Sequence, residues 1–128
     1  MPAVPAVASR SARETPAVAP ERLRKRADFL AAARGARAAT SGFVLQARAR
    51  NPRHGPPRVG ITCSKKVGNA VARNRAKRRL RALARAIIPH AGHPGWDYVL
   101  IGRATTTATA DMAMMERDLR AALAKVHR

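Results

Sequence analysis

The chain has 128 residues, enough for one domain, and its 26 Lys and Arg against 7 Asp and Glu give a formal net charge of +19. Aromatic residues make up only 3% of the sequence, so the core must be built from aliphatic side chains and Met. No apolar run approaches the roughly 18 residues of a membrane helix, which excludes a membrane-spanning protein, and a charge this positive is typical of proteins that bind polyanions.

The first twenty residues, MPAVPAVASRSARETPAVAP, contain four prolines and favour an extended, disordered chain. The prolines interrupt every apolar stretch, so this segment is not a secretory signal. We therefore expect a disordered Pro/Ala-rich tail over residues 1–20 and a single domain over residues 21–128. The only cysteine, Cys63, cannot form an intrachain disulfide, and a reducing cytoplasm is the simplest compartment. The scattered histidines form no zinc pattern with it.

The first element expected is a helix that begins near Glu21. Apolar residues recur there at helical spacing, and Gly35 is placed to end the helix. Phe29 lies beside this apolar stripe, which is formed by Leu23, Ala27, Leu30 and Ala31.

Two strands are expected next. Residues 43–50, FVLQARAR, alternate between apolar and more polar side chains, which is the period of a strand with one buried face. Residues 58–64, RVGITCS, alternate in the same way. NPRHGPP between them has the composition of a turn, so the two strands are expected to be antiparallel neighbours.

A long basic helix, a strand and a final helix complete the predicted order. Gly68 and Asn69 supply a break and an N-cap, and Pro89 is expected to stop the basic helix near Ile88. Residues 97–102, DYVLIG, predict a strand covered on both faces. Asp111 is expected to cap a helix whose apolar stripe is Met112, Met115, Leu119, Leu123 and Val126. The order α-β-β-α-β-α predicts an α+β fold, with helices packed on a small sheet.

Residues 65–85 carry nine Lys or Arg and no Asp or Glu. On a helical wheel one face is apolar and the others are cationic. Like charges follow one another at i,i+4 spacing and destabilise an isolated helix by roughly 0.2–0.5 kcal/mol per pair, a repulsion that phosphates would relieve. A face that only keeps the protein soluble is the alternative, but solubility usually mixes both signs of charge. The repeated cations are Arg73, Lys77, Arg81 and Arg85.

The basic helix favours RNA over DNA. A helix that recognises DNA sequence usually mixes Asn, Gln and Ser with a few Arg, and here only Asn74 is such a residue. A helix-turn-helix would also need a short helix where a strand is predicted. Recognition of folded RNA by its shape and phosphates fits better, and no DNA binding is expected.

The segment SKKVGNAVARNRAKRRLR, Ser64 to Arg81, closely resembles the signature of the protein subunit of bacterial ribonuclease P. That family carries an Arg-Asn-Arg core in a basic helix, preceded by a strand and a Lys-Lys-x-Gly-Asn-Ala turn. Residues 22–29, RLRKRADF, are similar to its first helix, and the resemblance covers about residues 21–126. It implies a mixed sheet whose parallel strands are joined by an unusual left-handed crossover.

The resemblance implies a ribonucleoprotein that removes the 5′ leader from precursor tRNA. The RNA subunit would hydrolyse the phosphodiester with magnesium ions that it holds itself, and the protein would bind that catalytic RNA and the leader. The residues implied in RNA binding are Lys65, Lys66, Arg73, Asn74, Arg75, Lys77, Arg78 and Arg81. Those implied in a leader-binding cleft between the first helix and the sheet are Phe29, Gln46, Arg48 and Ser64.

Two positions depart from the family pattern in the cleft. Ala33 stands where family members often have a second aromatic residue, and Gln46 occupies a strand position that can be aromatic. Stacking of a base on Phe29 could still contribute ~1–3 kcal/mol, although ordinary core packing is the alternative role for that ring. Arg48, Ser64 and the backbone are then expected to carry more of the leader contact.

The acids are spread from Glu14 to Asp118, and no nucleophile–base pair appears, so no catalytic residue is expected in the protein itself. Its expected partners are the catalytic RNA and precursor tRNA, in the cytoplasm and away from membranes. The main alternative is a basic ribosomal or RNA-chaperone protein without a catalytic role. A DNA-compacting protein is the second alternative.

Overall fold

The centre of the fold is a five-stranded mixed sheet, seen in a computed structural model that describes residues 20–128. The predicted tail lies outside the described residues, apart from Pro20. The strands are β1 (Glu21–Arg22), β2 (Ala36–Ala39), β3 (Phe43–Ala49), β4 (Arg58–Cys63) and β5 (Trp96–Gly102). The helices are α1 (Arg26–Ala33), α2 (Ala70–Ala91), α3 (Thr106–Thr109) and α4 (Met112–Val126), and Lys65–Val67 forms a 3₁₀ turn before α2.

The sheet has the order β1-β4-β5-β3-β2. β5 is parallel to β4 and antiparallel to β3, so it separates the two strands that the sequence predicts as neighbours, and that prediction is wrong. The reason is the apolar run of β5, whose Tyr98, Val99 and Leu100 are all buried and occupy the centre of the sheet. The chain crosses from β4 to β5 through α2. The left-handed sense of this crossover stays a prediction.

Helices cover both faces of the sheet. α2 and α4 pack on the face that carries Leu45, Tyr98 and Leu100, and together they form the main core. α1 packs on the opposite face, where Ala32 contacts a smaller cluster around Val99. The predicted stripe of α4 is confirmed, as is its cap, because the Asp111 carboxylate accepts a hydrogen bond from the Met114 N–H at 3.2 Å.

The basic helix α2 buries the predicted apolar side. Its N-cap is Asn69, whose side-chain oxygen accepts a hydrogen bond from the Ala72 N–H at 2.9 Å. The predicted end near Ile88 is too early, since the helix continues through Pro89 to Ala91. A proline in the last turn removes only one hydrogen bond, so two more residues keep the helical path. The buried residues are Ala76, Leu80, Leu83, Ala84, Ile87 and Ile88.

The first helix differs from its prediction. It begins at Arg26 instead of near Glu21, because the preceding residues pair with β4 and the Leu23 N–H donates to the Val59 carbonyl at 2.8 Å. The predicted apolar stripe is wrong as well: Leu30 is 47% exposed, and the helix buries Ala32 and half-buries Phe29. The short strands β1 and β2 are also absent from the predicted order.

Candidate nucleic-acid interface

The eight residues implied in RNA binding lie along one segment, from the 3₁₀ turn to the middle of α2. Arg73 and Lys77 are half-buried at the side of the helix that meets the sheet. The positive charges of both act on the thiol of Cys63 at the end of β4, although burial dominates and raises the pKa of that thiol. The exposed members are Lys65, Lys66, Asn74, Arg75, Arg78 and Arg81.

The turn before α2 is built by its own sequence. Gly68 has a φ of 138°, and a Cβ there would lie 2.9 Å from the Cβ of Ala72, so the turn requires glycine. Arg73 donates a hydrogen bond to the Gly68 carbonyl at 2.7 Å, and the Ser64 hydroxyl accepts one from the Lys66 N–H at 3.3 Å. These contacts hold the two adjacent lysines at the N-terminal end of the helix.

Arg79 differs from the exposed cations of α2. Its guanidinium donates to the Ala108 carbonyl at 2.7 Å and also to the Ala110 carbonyl, so it joins α2 to the segment around α3. The side chain is half-buried. This arginine is therefore occupied by protein contacts and is not free to bind phosphate.

A groove of about 430 Å³ runs between α1 and the adjacent face of the sheet. It brings together two of the four predicted cleft residues, Phe29 and Gln46, and adds Thr62. Arg48 lies on the same face of β3, two residues beyond Gln46. Ser64 follows the end of β4, does not line the groove, and caps the 3₁₀ turn. Further lining residues are Arg24, Arg26, Leu30, Ile61 and Val99.

Phe29 lies directly on the backbone of β4. A Cβ on Gly60 would come within 2.5 Å of the Phe29 ring, so only glycine leaves room for the ring at this position. A glycine inside a strand is the sequence signal that would have found this close approach. The ring packs against the smaller core cluster and also lines the groove, so its core packing is confirmed and the stacking of a base on it stays a prediction.

A buried ion network, missed by the sequence analysis, fixes the sheet beneath the groove. Asp97 is fully buried, and Arg50 and Arg58 each donate to its carboxylate at 2.7 Å. Burial pushes the pKa of Asp97 upward, but the hydrogen bonds and charges of the two arginines outweigh it and hold that pKa below its usual value. Arg58 also lies 3.5 Å from Asp28, which ties α1 to the sheet.

Within residues 20–128, no three His, Cys, Asp or Glu side chains lie close enough together to hold a metal ion. In the same part of the chain, no helix is both long and apolar enough to cross a membrane. The surface of α2 and the groove offer cations, amides, hydroxyls, one aromatic ring and the aliphatic side chains that line the groove.

The fold and this surface define a basic α+β protein that binds RNA. The family model described as Ribonuclease P matches residues 19–127. The chain belongs to the ribonuclease P family, which confirms the resemblance carried by Ser64 to Arg81 and the predicted α+β fold.

Relatives and solved structures agree with this assignment. The ribonuclease P protein component of Ruegeria pomeroyi is 58% identical over 106 residues, which cover 82% of this chain and 85% of that protein. The ribonuclease P protein component of Caulobacter vibrioides is 46% identical over 103 residues, which cover 80% of this chain and 68% of that protein. The RNase P protein of Staphylococcus aureus is similar in structure, with a TM-score of 0.63, 32% identity and coverage of 84% of this chain and 97% of that one. The RNase P protein from Thermotoga maritima is similar with a TM-score of 0.64 and 30% identity, and the match covers 77% of this chain and 91% of that one.

Proposed function

We propose that this chain acts as the protein subunit of a bacterial ribonuclease P, binding the catalytic RNA through α2 and the 5′ leader of precursor tRNA through the groove. The observation that carries the proposal is the exposed basic surface of α2 in a fold whose other sheet face carries a groove lined by Phe29 and Gln46. A basic ribosomal or RNA-chaperone protein would need the charge but not the groove. No contact in the described residues favours that alternative.

The division of labour follows from the side chains present. Magnesium ions, held mainly by the RNA subunit, would supply the activated water for hydrolysis. The described residues of this chain gather no acids into a cluster and instead offer cations, so their contribution is to bind and orient RNA. The exposed arginines of α2 suit phosphate, because their planar guanidinium groups donate two parallel hydrogen bonds. The enzyme would work in the cytoplasm, where precursor tRNA is made.

The groove suits a single strand of RNA. Arg24 and Arg26 stand at its edge and can neutralise backbone phosphates, while Gln46 and Thr62 can hydrogen-bond to bases. The accessible part of the Phe29 ring can stack on one base. A groove with one aromatic ring and several polar groups would bind a leader with little preference for its sequence.

The decisive test is cleavage of precursor tRNA at low magnesium concentration. Three samples are compared: this protein alone, a bacterial ribonuclease P RNA alone, and the two together. If the proposal is right, cleavage at the mature 5′ end occurs only in the combined sample, or occurs far faster there than in the other two. A protein that binds the RNA without increasing cleavage would support the structural RNA binder instead.

The role of the groove is tested with Phe29→Ala and, as a control, Met114→Ala, which shortens an exposed apolar side chain on α4 outside the groove. Because Phe29 both stacks and packs, the variant is compared on two substrates, precursor tRNA with a leader and mature tRNA. Loss of stacking should lower the affinity for leader-bearing RNA by about tenfold and leave the affinity for mature tRNA unchanged. Met114→Ala, at an exposed site on α4, should change neither affinity much. Equal weakening for both RNAs, with a lower melting temperature, would assign Phe29 to the core alone.

A further inference from the structure

A second cavity, of about 260 Å³, opens at the edge of the sheet where β1 pairs with β4. It lies between the segment that precedes α1 and the C-terminal half of α2. Its apolar floor is formed by Leu23, Phe29, Val59, Ile61 and Ala84. Three arginines surround the floor: Arg22 from β1, and Arg81 and Arg85 from α2. We call this cavity the edge pocket.

The charge of the edge pocket is unbalanced. Among its lining residues Glu21 is the only acid, against three arginines. The ion pairs found within residues 20–128 involve Arg50 and Arg58, and none of the three edge-pocket arginines takes part in them. Arg81 and Arg85 stand one helical turn apart, so their like charges repel each other unless an anion lies between them.

The size and the lining of the edge pocket suit a small ligand with an apolar part and a negative group. A volume of about 260 Å³ lies below the ~300–1,000 Å³ of pockets that enclose drug-sized ligands, so the cavity is too small for a helix of RNA. An apolar floor with an aromatic ring suits a nucleobase, and paired guanidinium groups suit a phosphate. One nucleotide has both parts.

The edge pocket also continues the groove. Phe29 and Ile61 line both cavities, so a strand in the groove can reach the edge pocket without leaving the protein surface. We propose that the edge pocket binds one nucleotide of single-stranded RNA, with its phosphate on Arg81 and Arg85 and its base on the apolar floor. This inference rests on the proposed function and assigns Arg22 and Arg85, which the signature segment does not include, to RNA binding. The nucleotide could come from the leader or from an unpaired segment of the catalytic RNA.

The test compares Arg85→Ala and Arg85→Lys with Arg120→Ala, a control at an exposed arginine of α4. Each variant is reconstituted with the catalytic RNA. Its affinity for that RNA, and the affinity of the complex for precursor tRNA with a long or a short leader, are measured across a range of salt concentrations. Arg85→Ala should weaken one of these affinities by about fivefold. It should also reduce by about 0.7 the slope of the logarithm of that affinity against the logarithm of the salt concentration. Arg85→Lys should keep the wild-type slope.

A loss confined to the long leader identifies the leader as the ligand, and a loss for the catalytic RNA identifies that RNA; either supports the edge pocket. If Arg85→Ala matches both wild type and Arg120→Ala in every affinity and slope, while the wild-type protein stimulates cleavage, the edge-pocket proposal is wrong and the proposed function stands. If the wild-type protein does not stimulate cleavage, the proposed function fails and this inference fails with it.

Discussion

The carboxylate of Asp97 binds two arginines, Arg50 and Arg58, that lie 47 and 39 residues earlier in the chain. Arg50, just after β3, also donates to the carbonyls of Trp96 and Pro56 at 3.1 and 2.9 Å, so it holds the loop between β3 and β4 against the start of β5. Arg58 adds a contact to α1 through Asp28. Through Arg58 and Asp28, this buried acid helps to hold α1 over the sheet beside the groove.

Replacing that acid tests its importance for stability. Asp97→Asn keeps the shape of the side chain but leaves Arg50 without a counter-charge and Arg58 with only Asp28, 3.5 Å away. We expect the free energy of unfolding to fall by about 3 kcal/mol. Urea denaturation measures the loss, with Asp118→Asn on α4 as the control. A loss below about 1 kcal/mol would show that water reaches the arginines and replaces the carboxylate.

His127 gives the fold a dependence on pH. The Tyr98 hydroxyl accepts a hydrogen bond from the backbone N–H of His93 at 2.8 Å and shares a second one with Nε2 of His127 at 2.7 Å, while the rings of His93 and His127 stack at 3.6 Å. Burial, together with the neighbouring His93, lowers the pKa of His127 from 6.5 to about 4. The folded protein therefore keeps this imidazole neutral at a pH where the unfolded chain protonates it.

Stability should therefore fall as the pH drops from about 6.5 to about 4, because protons bind the unfolded chain more tightly in that window. His127→Gln removes the titrating group. The melting temperature of this variant should therefore change less across the window than that of the wild-type protein, whatever the absolute melting temperature of the variant. His90→Gln, at an exposed site near the end of α2, should keep the wild-type profile. An unchanged profile in His127→Gln would assign the acid sensitivity to other groups.

At the scale of elements, α2 does two things at once. Its buried face completes the main core, and its exposed faces carry the cations expected to contact RNA. Adjacent residues can therefore have opposite roles. Arg78 is exposed, while its neighbour Arg79 is half-buried and holds the segment around α3.

The pair Arg78→Ala and Arg79→Ala separates these roles. Arg79→Ala removes charge-assisted hydrogen bonds to two backbone carbonyls, so unfolding free energy should fall by about 1.5–3 kcal/mol with little change in the salt dependence of RNA binding. Arg78→Ala should leave stability nearly unchanged and make that salt dependence shallower by about one unit. Denaturation and RNA titration on both variants measure this. If Arg79→Ala reduced the salt dependence of RNA binding as much as Arg78→Ala does, Arg79 would belong to the RNA interface.

Elements with local signals were predictable, and long-range pairing was not. Asn69 and Asp111 mark their helices because a cap needs only neighbouring residues. β2 was missed because ARAA has little strand propensity and pairs with β3 only in the fold. The order of the strands depends on β5, which lies far along the chain from both of its neighbours. In the same way, the signature segment locates the basic surface, whereas Asp97 meets its partner Arg50 across 47 residues of sequence.

At the scale of the whole molecule, the charge is unevenly distributed. The net charge of +19 draws on many surfaces, but residues 65–85 have no acid at all, whereas α4 mixes Glu116 and Asp118 with its basic residues. A protein whose positive charge is spread over its whole surface and a protein with one basic face both bind RNA. They differ in which charges affect the salt dependence of binding.

Two variants of equal charge distinguish these cases. One changes Lys65, Lys66, Arg75 and Arg78 to Gln, the other changes Arg117, Arg120, Lys125 and Arg128 to Gln, and both lower the net charge by four. If α2 and its turn form the interface, the first variant should reduce the salt slope of catalytic-RNA binding by about 3–4 units, since each phosphate contact contributes about 0.9. The second should reduce it by less than about one unit. Equal reductions would mean that RNA responds to the total charge of the protein, and the assignment of the interface to the surface of α2 would be wrong.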